Sequence, residues 1–213
     1  MHISEGIVSA PVLTGGAVLT AVGTAVGLKK LDYERIMTSA ILTAAFFVGS
    51  LVHIPVGPAN VHLILNGLIG VILGWASFPA ILTGLFMQAV FFQYGGIVVL
   101  GVNTFNMAAP AVCSYYCLRP WLDNSRGKQA VAAWLGGFFS VFLAAVFLAL
   151  SLTLTDEGFL ETAGILIGAH LPVMIIEGFV TMFAVVFLNR VQPEILKRSK
   201  MSVQEKVSRS MTE

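Results

Sequence analysis

From Gly6 to Leu28 the sequence carries no charged residue, and runs of the same kind return along its whole length. A helix needs roughly 20 apolar residues to cross about 30 Å of hydrocarbon, so each such run is a candidate membrane crossing. With 57% hydrophobic and only 11% charged residues, a water-soluble globular domain is excluded. No water is present in the bilayer core, so each backbone amide must bond within its own segment. The runs are therefore read as helices rather than isolated strands.

The first run is Gly6 to Leu28, closed by Lys29 and Lys30, and the second is Tyr33 to Ile54, closed by a turn from Pro55 to Pro58. Val61 to Trp75 is short and rich in glycine, and Pro79 opens a run to about Tyr94. Gly95-Gly96 and the stretch Gly101 to Asn106 interrupt the next region, which continues through Pro110 to about Leu118. Irregular backbone at that depth must be covered by protein or line a cavity. Ala130 to Leu154 and Ala163 to Val191 are long and uninterrupted. The expected fold is all-α and integral to the membrane: a single bundle of about seven transmembrane helices over residues 1–191, followed by a basic tail over 192–213.

Charge placement orients the bundle. All 12 Lys and Arg residues fall in the loops Lys29 to Arg35 and Arg119 to Lys128 or from Arg190 onward. With an odd number of crossings these three groups share one side, while Glu5, Asp156, Glu157 and Glu161 share the other with no basic residue. Positive charge marks the cytoplasmic face, which puts the N-terminus outside and the C-terminus in the cytoplasm of a multi-pass protein of the cell inner (plasma) membrane. The tail, with Lys197, Arg198, Lys200, Lys206 and Arg209, is expected on the anionic inner leaflet. Membrane lipid is thus a partner and nucleic acid is not. Met1-His2 lacks the positively charged region that opens a secretory signal peptide.

Met1 and His2 form a potential chelate. The terminal amine, the ionised His2 amide and the His2 Nδ1 can close a five- and a six-membered ring around one ion, giving three nitrogen donors in a plane. Ni²⁺ and Cu²⁺ favour such coordination, whereas Mg²⁺ and Ca²⁺ prefer oxygen. A fourth donor would come from His53, His62 or His170. An ionisable side chain within a membrane is costly and so points to function. His62 is preferred because it lies just inside the outward end of the third run; the alternative for each histidine is an interhelical hydrogen bond.

Asn60, His53, Asn103 and Asn106 are candidates to orient these rings; the alternative for His53 is a structural role, and for Asn103 and Asn106 the capping of freed backbone groups. His170 and Glu177 lie seven apart on one helical face and are expected to form a buried hydrogen-bonded pair. Cys113 and Cys117 are soft donors but fall toward the cytoplasmic end, where packing is the preferred reading. Ala17, Ala21 and Ala25 form a small-residue stripe that lets another helix approach, either within the bundle, which is preferred, or from a partner subunit.

The opening Met1-His2-Ile3-Ser4-Glu5-Gly6, the Val61-His62-Leu63 segment with Asn66-Gly67 and Gly70, and the stretch Gly101-Val102-Asn103-Thr104-Phe105-Asn106-Met107 together resemble the CbiM/NikM family. These are substrate-capture (S) components of energy-coupling factor (ECF) cobalt and nickel transporters, and the likeness runs from about Met1 to Arg190. The resemblance implies a transported Co²⁺ or Ni²⁺ held by the Met1 amine, the His2 amide and imidazole nitrogens, and His62. It implies no cofactor. It also implies an ECF coupling transmembrane subunit, cytoplasmic ATPase subunits and a small accessory membrane subunit as partners.

No Gly-x-x-x-x-Gly-Lys-Ser/Thr phosphate loop is present, so ATP hydrolysis is expected from partners and the chain is expected to be no enzyme. A stand-alone divalent metal permease or channel is the rival within transport. A structural or assembly subunit without metal binding is the rival outside it. An intramembrane hydrolase would lack its His-Glu-x-x-His motif, leaving only Ser50 and His53 on a shared helical face.

Overall fold

The computed structural model describes residues 2–51, 53–56, 59–121 and 125–196; of 53–56, 59–60 and Arg119 only the backbone is described. Its helices are α1 (Ala10–Lys29), α2 (Ile36–Gly49), α3 (Asn66–Leu73), α4 (Ser77–Phe92), α5 (Leu100–Leu118), α6 (Arg126–Thr153), α7 (Leu160–Ala169), α8 (Leu171–Val191) and α9 (Pro193–Leu196). Among the described residues four stretches are long and apolar enough to cross a membrane, Ala10–Lys29, Asn66–Phe92, Arg126–Thr153 and Glu157–Val191.

Helix α5 packs against α1, α3, α4 and α6, and α6 packs most extensively against α8. Glycines permit these close crossings. A Cβ on Gly70 of α3 would collide with the Ala111 carbonyl of α5, and one on Gly101 would stand 2.6 Å from the Cα of Ala17. The Thr20 hydroxyl donates to the Gly101 carbonyl at 2.6 Å, which sets the start of α5 level with the middle of α1. The α1 residues buried in the bundle are Thr20, Gly23 and Gly27. Ala17, Ala21 and Ala25 are exposed. Apart from the Ala17 backbone at the Gly101 crossing, the alanine stripe therefore does not serve packing within the bundle, contrary to expectation.

The described basic side chains gather at one end. Lys30 lies over the Trp75 ring at 5.0 Å, Arg35 donates to the Ile72 carbonyl at 3.0 Å, and Asn189, beside Arg190, donates to Gln129, beside Lys128. Of the tail, only the first residues are described, and Leu196 is buried; Lys197 onward lies outside the described residues.

Two further expectations are corrected. The second run does not stay helical to Ile54: α2 ends at Gly49, and a hairpin of β1 (His53–Val56) and β2 (Ala59–His62) follows, pairing His53 with His62. Pro55 has no amide proton and favours extended backbone before it, and the hairpin lets these residues bond to each other instead. Gly57 and Pro58 of the expected turn lie outside the described residues. His62 therefore precedes the third helix, which begins only at Asn66. The Gly101 to Asn106 stretch is likewise not irregular but the opening of α5. The break falls earlier, between Gln93 and Val99, where Gln93, Gly95 and Gly96 have positive φ.

Candidate metal site

The N-terminal residues fold back into the bundle as a strap. Ile3 is fully buried. Its N–H donates to Asn103 Oδ1 at 2.9 Å, and its carbonyl accepts from Asn103 Nδ2 at 3.1 Å. One side-chain amide thus satisfies both backbone groups of one residue. Two further contacts hold the strap: the Glu5 N–H donates to the Gly95 carbonyl at 3.2 Å, and the Glu5 carboxylate accepts from the Val98 N–H at 2.9 Å.

This anchoring brings His2 against His62. Their rings stack with centroids 4.6 Å apart and planes 26° from parallel, and the two residues are 1% and 3% exposed. His62 Nδ1 lies 2.7 Å from the Leu63 carbonyl oxygen. A carbonyl only accepts, so Nδ1 carries the proton and the lone pair sits on Nε2, the arrangement a ligating imidazole requires.

Gly95 closes the other side. At φ 74 it has a backbone that L side chains rarely adopt. A Cβ there would meet Asn103 Nδ2 at 2.9 Å and His2 Cβ at 3.4 Å. Neither Gly95 nor Glu5 was among the candidates drawn from the sequence, and Glu177 was a candidate only as a partner of His170. The Gly95-Gly96 pair, visible as a chain break, was the available signal for the first.

The remaining candidates are distributed as follows. Met1 lies outside the described residues, as do the side chains of His53 and Asn60. Asn106 donates to the Ser151 hydroxyl at 3.0 Å and accepts from it at 3.2 Å, joining α5 to α6. The expected His170–Glu177 pair does not form: His170 Nδ1 bonds the Leu166 carbonyl at 2.6 Å, while Glu177 accepts from Ile64 and Leu65. Ser50 donates to the Phe46 carbonyl at 2.6 Å and accepts from Gln88. Cys113 and Cys117 are exposed.

Among the described residues no three His, Cys, Asp or Glu side chains converge as a metal-ligand set. Two imidazoles alone make an incomplete shell, so an ion here would need donors beyond these two side chains.

The chain is a membrane-type helical bundle that buries two facing imidazoles, and comparison with known proteins gives its class as a multi-pass metal-transport protein. Residues 2–195 match the family described as "Cobalt uptake substrate-specific transmembrane region", CbiM, and the chain belongs to that family. A Haemophilus influenzae protein whose name assigns it to metal transport is 40% identical over 203 residues, covering 94% of this chain and 98% of that one. The fused nickel transport protein NikMN of Rhodobacter capsulatus is 29% identical, covering 92% of this chain and 64% of its own. A crystal structure of a transition metal transporter superposes with a TM-score of 0.79 at 27% identity, over the whole of both chains. These relatives are transport proteins, and the chain is one rather than an enzyme.

Proposed function

We propose that the chain is the substrate-specific subunit of an ATP-driven ECF transporter, capturing Co²⁺ or Ni²⁺ outside the cell for uptake. The Met1 amine, the His2 amide and Nδ1, and His62 Nε2 hold the ion, and Asn103 orients the strap that carries His2. The observation that carries this reading is the stacking of two histidines 60 positions apart, at 4.6 Å, by a strap that one asparagine fixes in place. Four nitrogens suit Co²⁺ and Ni²⁺ over the alkaline-earth ions.

The basic end of the bundle is assigned to the cytoplasm by the positive-inside rule, with the tail over 192–213 beside it and the strap opening outward. A coupling transmembrane subunit, cytoplasmic ATPases and a small accessory membrane subunit complete the transporter. The exposed Ala17, Ala21 and Ala25 offer a close-packing surface to such a partner.

The test is metal analysis of the purified protein as wild type, His2→Ala, His62→Ala and a form with one residue inserted after Met1. Each variant is expected to lose bound Co²⁺ or Ni²⁺. Full metal content in the inserted form, which deletes no side chain, refutes the terminal chelate.

A further inference from the structure

Glu177 is the one carboxylate buried among the described residues. It sits on α8, away in sequence from the strap and from His62, and a buried carboxylate at membrane depth calls for a compensating role. Its Oε1 accepts from the Ile64 N–H at 2.5 Å and from the Leu65 N–H at 2.6 Å. Those amides follow His62 by two and three residues. Leu65 has φ 54 and ψ 17, a left-handed conformation that L side chains disfavour. The next residue, Asn66, opens α3 and donates to the Ser140 carbonyl at 3.2 Å.

The chain therefore turns sharply between His62 and α3, with two inward amides that a helix or strand would otherwise satisfy. Remove the carboxylate and both are left buried without an acceptor, while the left-handed bend loses what holds it. Because Leu63 also fixes the His62 tautomer through its carbonyl, the direction of the His62 ring depends on this turn.

We propose that Glu177 is a positioning residue of the metal site: its carboxylate holds the Leu63 to Asn66 turn in the bend that aims His62 at His2. The proposal rests on the reading that His62 is a metal ligand. It differs from simple capping of α3 in predicting an effect on metal affinity that a retained acceptor rescues.

The experiment titrates Ni²⁺ and Co²⁺ into the purified full-length protein in detergent as wild type, Glu177→Ala and Glu177→Gln, and follows amide exchange over residues 63–66 without metal. Loss of a residue that orients a ligand weakens metal binding by about 10- to 100-fold. Glu177→Ala is expected in that range, with faster exchange at Ile64 and Leu65. Glu177→Gln keeps an acceptor oxygen at the same reach and is expected within about threefold of wild type. If Glu177→Ala does not fold, Glu177→Asp, one methylene short, takes its place with weakening in the same direction. Wild-type affinity in the folded Ala or Asp form, or a Gln form as weak as either, overturns the proposal. A wild type that binds neither ion overturns the metal-site reading, and this proposal with it.

Discussion

Replacing Asn103 by alanine should release the strap without touching a ligand. Its amide makes two buried hydrogen bonds to Ile3, at 2.9 and 3.1 Å. A net contribution of about 0.5–1.5 kcal/mol for each gives about 1–3 kcal/mol together. At about 1.4 kcal/mol per factor of ten, this weakens Ni²⁺ binding by roughly 5- to 150-fold. Competition with a chromophoric chelator, on protein in detergent, measures it. Asn106→Ala is the matched control, because that amide is equally buried on the same helix but bonds Ser151 instead of the strap. It should lower thermal stability comparably while leaving affinity within about threefold. A folded Asn103→Ala protein with wild-type affinity, or an Asn106→Ala protein that binds as weakly, would refute the strap argument.

Gly95→Ala places a methyl 2.9 Å from Asn103 Nδ2 on a backbone at φ 74, a strain of about 1–2 kcal/mol before any steric term. Metal affinity should fall by about tenfold or more, whereas Gly168→Ala, with open space around its Cβ, should bind as wild type. Binding through an ionised His2 amide must displace at least about one proton. Affinity should therefore rise with pH across the neutral range, and calorimetry in buffers of different ionisation enthalpy should register the release; a binding enthalpy independent of buffer would exclude the amide as a ligand.

Helix positions were legible in the sequence where apolar length alone decides them, as in α1 and α6, whereas the run Ala163 to Val191, read as uninterrupted, is divided at His170 into α7 and α8, with Pro172 in the first turn of α8. His2 and His62 were legible as neighbours because a terminal Met-His chelate wants a fourth donor and His62, of three candidate histidines, lay nearest the outward end of its run; their rings do stack. The hairpin was not, since Val-His-Ile-Pro-Val reads as the tail of a helix until its backbone partners across the turn are known. The Gly101 to Asn106 stretch read as an interruption for a related reason, with Asn103 and Asn106 expected to orient the rings or cap freed backbone groups. Their amides bond Ile3 and Ser151, which lie 100 and 45 positions away, and the α5 backbone stays helical through both. Glu177 was paired with His170 by periodicity, yet its true partners are backbone amides, which no side-chain pattern records.

The pins on the two rings sit on different bodies. Asn103 on α5 fixes the strap, Glu177 on α8 binds the turn beside His62, and neither helix carries either of the two facing histidines. Helix α5 meets α6, and α6 meets α8, so the facing of the rings depends on a relation between helices rather than on one rigid element. A site built this way can be loosened by a small shift of α8 against α5, with no ligand protonated. On the function proposed above, release of the ion is then open to control by a partner that grips one of those helices.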